Sequence, residues 1–518
     1  MAVLLLSALF FDAAGGGPSP LATHPGWTAR LVAQEPQVVD PVAVRWDAGE
    51  PGQGGRLWVV EMPDYPTGPP DGAAPRGRVR VLSDEDRDGT FETAATFADG
   101  LDQPTGVQPW RTGCLVTLAG ELAYLPDDDR DGRADGKEVW LTGLSTGNEQ
   151  LRPNHPTLAP DGWLYVANGL RTDAVTDPRT GTSVSVRGRD VRLDPLRPGV
   201  VEAASGHGQH GLSFDPWGRR FVCSNARPLD HAVLPAAALA ANPHLRSAGA
   251  VAAVIPGGQG RPVYPLVEQW TTSVVHAGSF TAACGLLIRE GRHGVEALVC
   301  EPTGSLVHRE RLTPAGSTFD AAPDRGGVEF LASTDPWFRP VDLTAGPGGS
   351  VFVADFCRAV IEHPEWMTPE AETRADFEGG RDRGRIYQLV PDAPSPAEDV
   401  SDLAFRRVLE LGNAFNARSL EPTTAAGRLR RLHLIKRTGG LTDDDWAAAL
   451  ADPEAVVRER AVRLWDRAGA PDSLADVVVS LASDGHAMVR ARVAVALRRV
   501  ASGDAAAALA GIADGGDE

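Results

Sequence analysis

RPVDLTAGPGGSVFVAD, residues 339–355, joins a polar start, a glycine turn and an apolar run. GPGG reads as a tight turn, because glycines supply the positive φ such turns need. SVFVADF is rich in β-branched and aromatic residues and predicts a buried strand. Glu329, Asp335, Arg339, Asp355, Arg358, Glu362 and His363 flank this run, with Trp337 and Trp366 among them. Charges in aromatic company read as a partly buried site wall; a solvated loop with structural ion pairs is the plainer alternative.

The phrase recurs. It returns as DPVAVRWDAG with RLWVVEM from Asp40, QPTGVQPWRTGCLVTLAG from Gln103 and HPTLAPDGWLYVANG from His155. HGLSFDPWGRRFVCSN from His210 and FTAACGLLIREG with VEALVCEP from Phe280 complete the set. Six such units predict a six-bladed β-propeller over residues 25–390, each unit giving the turn and inner strand of a four-stranded blade. A β-sandwich would not repeat one turn-strand phrase six times.

The period changes after Pro391. PDAPSPAED marks a Pro-rich acidic linker at 391–400, and residues 401–518 turn helical. ADPEAVVRERAVRLWDRAG is echoed by SDGHAMVRARVAVALRRVASG, with Asp452 and Asp484 32 residues apart. An Asp turn followed by Val-Arg on an apolar helix is a HEAT-like pattern, and such a scaffold offers a place for a protein partner. The fold class expected is therefore mainly β then all-α, a six-bladed propeller followed by a short HEAT-like α-solenoid. The array is either capped at ADGGDE or cut within it. Arg458, Arg460, Arg463, Arg490, Arg492, Arg498 and Arg499 read as a solvated face.

Lys and Arg number 50 against 69 Asp and Glu, a net charge of −19. That argues against nucleic acid as a partner and suits small neutral substrates or cations. The five cysteines form no CxxC or CxxCH, which leaves no covalent haem; Cys284 and Cys300 are open to pairing or to remaining free thiols. The apolar run at 2–11, followed by small residues, resembles the core of a secretory signal, so residues 1–24 read as a signal and leader. An exported protein, periplasmic or held at a membrane surface, is expected.

Two acidic loops carry the sharpest local signal. Asp127, Asp129, Asp131, Gly132 and Glu138 match D-x-D-x-D-G-x5-E, with Asp135 at the ninth position. Alternate carboxylates fold round one hard cation, which predicts calcium. Asp84, Asp86, Asp88 and Glu92 repeat the start, but Ala95 stands where the closing Glu belongs. Neither loop has flanking helices, so calcium-bearing blade turns are expected, with acidic solvated hairpins as the alternative.

His155 precedes a strand and is read as a general base facing a central channel, flanked by Asn154, Asn168 and Arg171. A structural histidine is the alternative. His207, Gln209, His210, Asn225, Arg227 and His231 form a third polar stretch whose spacing matches no standard metal motif. There is no Walker loop, no GxGxxG at a strand–helix junction and no GxSxG elbow.

SGHGQHGLSFDPWGRRFVCSNARP, HAGSFTAACG, CEPTGSLVHR, EFLASTDPWFRPV and RAVIEHPEW…DRGRIYQLVP resemble the planctomycete and verrucomicrobial family of membrane-bound dehydrogenases. That family joins a propeller to HEAT-like repeats and often to a cytochrome c domain. The propeller also resembles, distantly, soluble quinoprotein glucose and aldose sugar dehydrogenases, whose D-H-x-x-G-x-L…G-P-D-G-x-L-Y phrase corresponds to NHPTLAPDGWLY here. The resemblance implies that His155 takes the substrate hydroxyl proton while hydride passes to pyrroloquinoline quinone. Asn154 stands where that phrase has Asp, and Gly208 where it has a cofactor-facing Arg. Asn154, Arg171, Gln209, Asn225 and Arg227 are then the cofactor-binding candidates, with Arg339 a further substitute for the missing cation.

The expected function is oxidation of a sugar or alcohol, with electrons leaving to an external acceptor such as a separate cytochrome c. In it His155 is the base, Arg339 and Arg358 stabilise developing negative charge, and Asp335, Asp355 and His363 orient them. The alternatives are a non-catalytic carbohydrate- or protein-binding propeller, and a gluconolactonase-type hydrolase with a channel metal on Glu329, Asn168, Asn225 and Asp355.

Overall fold

The computed structural model describes residues 20–49, 55–85, 89–240, 250–255, 261–268, 278–323, 326–394, 402–411, 416–467 and 470–514. Residues 1–19 of the expected leader, Asp86, Asp88 and linker residues 395–400 lie outside these residues, whereas Leu21–Thr23, also within the expected leader, is a strand paired with Leu331–Ser333.

The chain folds as a six-bladed β-propeller followed by an α-helical region. Each of the six phrases is the innermost hairpin of one blade. Pro41–Asp47 pairs with Arg56–Glu61, Gly106–Trp110 with Gly113–Leu118, and Asn154–Leu158 with Leu164–Ala167. Leu212–Phe214 pairs with Arg220–Ser224, Cys284–Gly291 with Gly294–Glu301, and Pro340–Ala345 with Val351–Asp355. The inner strands pack side by side in a closed ring. The outermost strand of the last blade is Trp27–Gln34, which pairs with Arg385–Pro391 and so joins the start of the propeller to its end.

Four inner hairpins carry a register shift near their first residue, at Pro41/Ala43, Asn154/Thr157, Cys284/Leu286 and Pro340/Asp342. A bulge there re-aims a side chain. Asp40 and His155 precede a proline at this point, each with φ of 49°. The result is a circle of residues at one end of the channel: Asp40, Gln103, His155, His210, Cys284 and Arg339.

Blade stacking buries both faces of the inner strands, so Val351–Asp355 is buried throughout rather than alternating. Phe352 stacks on Trp46 of the neighbouring blade at 5.3 Å and lies beside Phe91. All five cysteines are free and buried. Cys284 and Cys300 are direct cross-strand partners, yet remain thiols.

The helical region lies against the opposite end, where the inner hairpins turn. Phe405, Val408, Leu409, Leu434 and Ile435 share a core with Trp110, Leu115 and Leu164 of two blades. Arg406 pairs with Asp47 at 2.9 Å and Arg437 with Asp194 at 2.5 Å. Gly162, at φ +76°, is needed at one such turn: a Cβ there would sit 2.7 Å from Arg437 Cδ.

The arginine-rich helix face is only partly solvated: Arg498 is exposed, and Arg458, Arg463, Arg490 and Arg499 are half-buried. Arg460 and Arg492 are buried and donate to the Gly218 and Val233 carbonyls, and Arg458 pairs with Asp484 at 2.7 Å. The face meets blade turns whose carbonyls have no strand partner, and guanidinium groups satisfy them. Among the described residues no helix is long and apolar enough to cross a membrane.

Phe352→Ala should lower unfolding free energy by about 3–5 kcal/mol. Chemical denaturation checks this, and a loss under 1 kcal/mol would mean the blade interface does not depend on that ring.

Candidate functional site

The ends of the second strands and the connections between blades build one end of the channel. Its centre is His155. The Asn154 amide nitrogen donates to the Arg152 carbonyl at 2.8 Å and the Gln209 carbonyl at 2.6 Å. Its oxygen is therefore the acceptor for His155 Nδ1 at 2.7 Å. His155 Nε2 lies 3.0 Å from Asp342 of the last blade, and both side chains are 1% exposed. Asp342 also accepts from the Val44 N–H at 2.9 Å and lies 3.9 Å from Arg45. Burial pushes the Asp342 carboxyl up, but His155, Arg45 and the Val44 N–H outweigh it and hold it below its ordinary value.

One carboxylate thus links three blades across the axis. The sequence reading found His155 but assigned its orientation to Asn154 alone, and missed Asp342. His155 does not open freely into a channel, because an acceptor meets each ring nitrogen.

His210 stands edge-on to His155, ring centroids 5.1 Å apart. Burial, then the neighbouring His155, lowers its pKa to about 4. His210 Nδ1 and His207 Nε2 are sealed from solvent without a hydrogen-bond partner.

Arg339 does not face a reacting group. It donates to the Pro302, Arg358 and Ala359 carbonyls at 2.7, 3.0 and 3.0 Å, tying the fifth blade to the segment after Asp355. Arg358 is ion-paired with Asp40, both fully buried. Burial raises the Asp40 pKa to about 7 although Arg358 opposes it. Arg385 bridges Asp335 at 3.1 Å and Asp355 at 2.7 Å. Burial raises Asp355 to about 6 against the pull of Arg385. Asp335 and Asp355 therefore hold the Arg385 guanidinium, and Asp355 reaches Arg339 only through its backbone N–H, at 2.8 Å.

Residues 356–384 form a strap over this end. Tyr65 donates its hydroxyl hydrogen to the Ile361 carbonyl, and Gln150 donates to the same oxygen at 2.8 Å. His363 meets Glu149 at 2.9 Å, and Glu365 meets Arg171 at 2.8 Å with Trp366 beneath the guanidinium. Glu149 also bonds Gln103 at 2.8 Å and Arg152 at 3.0 Å. Burial pushes Glu149 up, but His363 and Arg152 prevail and hold it below its usual range. His363 belongs to this strap lock rather than to the His155 group.

Pyrroloquinoline quinone carries carboxylates, and the residues proposed for it do not fit that need. Asn154 has no donor left, and the Gln209 side-chain oxygen accepts from the Asn225 N–H at 3.2 Å. Arg227 is on the rim with Asp230 at 2.8 Å, and Arg171 holds Glu365. At Gly208, where a cation was wanted, a Cβ would meet Ala167 at 3.1 Å and the Gly211 carbonyl at 3.2 Å, so no cradle exists. The hydrolase ligands do not gather either. Glu329 bonds His308 at 2.7 Å, Asn168 donates to the Thr172, Val186 and Arg189 carbonyls, and Asp355 holds Arg385. Asn225 is tied to Gln209 through its backbone.

The acidic loop between Glu121–Leu125 and Glu138–Thr142 gathers Asp127, Asp129 and Asp135, whose carboxylate oxygens lie within 4.8 Å of one another. Asp127 is 6% exposed, and its Oδ1 has no hydrogen-bond partner. Asp131 instead accepts from the Arg133 N–H at 2.8 Å, and Glu138 is exposed on its strand. The strand starts at Glu138 and holds it out of the group, and Asp135 stands with Asp127 and Asp129 in its place. In the first loop Asp84 accepts from the Gly89 N–H at 3.1 Å and Glu92 from the Glu85 N–H at 2.6 Å.

Fold and site define a closed six-bladed propeller with a buried histidine–carboxylate contact on its axis. The chain belongs to the family described as a domain of unknown function, DUF7133, whose profile matches residues 19–393. No curated protein matches it in sequence. Among solved structures it is similar to a glucose dehydrogenase, at 16% identity and TM-score 0.40 over 70% of this chain and 98% of that one. The pyranose dehydrogenase PQQ domain of Coprinopsis cinerea gives 11% and 0.40 over 72% and 98%. The soluble aldose sugar dehydrogenase of Escherichia coli in its apo-form gives 12% and 0.40 over 70% and 99%. Likeness at this level carries no chemistry from one chain to another.

Glu301, at the same end of the channel, is fully buried and is raised by burial from 4.5 to about 7, against the Ala282 and Thr281 N–H groups. The folded state holds the extra proton, so stability falls as pH rises through that interval. Glu301→Gln should therefore gain stability relative to wild type as pH rises from about 5 to about 8. Urea midpoints measure it, and parallel pH profiles would refute it.

Proposed function

We propose that this protein is a propeller oxidoreductase acting on the hydroxyl group of a sugar or other small alcohol, with His155 and Asp342 as its proton-handling pair. The observation that carries this reading is the buried His155–Asp342 contact on the channel axis. Oxidation of an alcohol to a carbonyl releases a hydroxyl proton and a hydride equivalent. With Nε2–H held by the Asp342 carboxylate, Nδ1 takes the proton once it leaves the Asn154 oxygen, and the carboxylate stabilises the charge the ring gains. Asn154 fixes the ring from the other side. Substrate reaches the pair when residues 356–384 lift. The hydride equivalent passes to a diffusible acceptor of the quinone or dye class, because the chain's own candidate groups are engaged with protein partners. A separate cytochrome c is the downstream acceptor in this reading.

In the same proposal Asp127, Asp129 and Asp135 hold one calcium ion. The fit rests on three carboxylates drawn together and on the unpartnered Asp127 oxygen. The loop reaches the preceding blade, where the Ala134 N–H donates to the Phe97 carbonyl at 2.8 Å, so the ion would staple two blades. Export, argued from residues 2–11, and a HEAT-like scaffold for a protein partner, argued from the 32-residue echo, belong to this reading as well.

A second reading, a non-catalytic binding propeller, is favoured by the strap's ties to Tyr65, Glu149 and Arg171. Dye-linked oxidation of a panel of aldoses and alcohols, with and without added pyrroloquinoline quinone, separates the two. The enzyme reading expects turnover that drops about 10²–10⁴-fold in His155→Ala and falls in Asp342→Asn. Absence of turnover in every arm, with sugar-dependent thermal stabilisation retained, selects the binding propeller. Calcium should raise the melting temperature of wild type and leave Asp127→Asn unchanged; an equal shift in both would remove calcium from this loop.

A further inference from the structure

A cavity of about 160 Å³ lies between the fourth blade and the helical region, away from the channel. Arg219 and His231 reach it from the blade; Arg463, Arg492, Glu459 and Met488 reach it from helices Ala455–Trp465 and Ala487–Ala496. Its wall therefore carries three guanidinium groups against one carboxylate.

The partners of these groups are unequal. Arg219 has Asp215 at 2.5 Å, and Arg492 has Glu459 at 3.1 Å and the Val233 carbonyl at 3.0 Å. Arg492 Nη1 is sealed without a hydrogen-bond partner. Arg463 has no carboxylate or carbonyl partner among the described residues; burial and the nearby Arg460, Arg492 and Arg467 all act against its charge. His231 is held neutral by burial and by Arg219, Arg492, Arg463 and Arg460. Arg463 is half-buried against the cavity, and an excess of guanidinium groups on a small cavity selects a counter-ion with several oxygens.

We propose that this cavity binds a small oxyanion, phosphate being the simplest, between Arg463, Arg492 and Arg219. The volume suits a tetrahedral anion with water and falls short of the roughly 300–1,000 Å³ of pockets for larger organic ligands. Cations from both the blade and the helices converge on it, so the anion holds the helical region against the propeller.

Calorimetric titration of the full chain with inorganic phosphate, in calcium-free buffer at fixed ionic strength, tests this. Saturable binding is expected, with a rise in melting temperature of about 2–4 °C that chloride at equal ionic strength does not reproduce. Arg463→Met should weaken phosphate at least tenfold without lowering the melting temperature of the phosphate-free protein. Ala491→Leu, which fills the cavity from the helix and leaves every charge in place, should weaken it too. Absence of saturable binding, an effect matched by chloride, or undiminished affinity in both variants would overturn the proposal.

Discussion

The propeller depends on one strand pairing. Trp27–Gln34 lies on Arg385–Pro391 and closes the ring with residues from its two ends in sequence. Without that pairing the last blade keeps a bare edge and its neighbour loses a packing face. Closure also holds the six inner strands parallel to one axis, and only then do their first residues face each other. Long sequence separation is what makes this contact decisive: it orders the whole ring, with the shorter pairing of Leu21–Thr23 on Leu331–Ser333 of the fifth blade beside it.

Closure brings Asp342 to the axis, where it meets the Val44 N–H, Arg45 and His155. A carboxylate so deeply buried is tolerable only because a cation, a backbone donor and a histidine compensate it together. The same logic governs the strap, whose His363 and Arg358 pair with Glu149 and Asp40 inside the protein. At the far end the helical region repeats the device with the signs exchanged, its arginines meeting carbonyls and carboxylates of the blade turns. The two ends of the channel are thus covered by different means. One cover is a single segment held by polar contacts and ion pairs, among them the buried Arg358–Asp40 pair; the other is a helical layer sharing an apolar core with two blades.

Much of this was legible locally. Each inner hairpin is a continuous stretch with its own turn chemistry, so all six blades could be placed from residues near one another in sequence. The Asp127 loop was legible for the same reason, although Glu138 was not displaced by anything visible in the motif; the strand beginning there decides it. His155 could be singled out by its place before GWLY, but its partner is 187 positions away, and no spacing rule reaches that far. Arg339 and Arg358 misled because charge near a predicted channel looks catalytic until its hydrogen bonds are known.

The sequence by itself determined the number of blades, the switch from β to α, and the residues that would ring the channel, because those follow from short-range periodicity and turn residues. Tertiary structure alone decided which of those residues carry a free polar group and which are engaged in holding the fold. Burial and pairing set the properties of an ionisable side chain, and both are fixed only once the ring has closed and its two ends are covered.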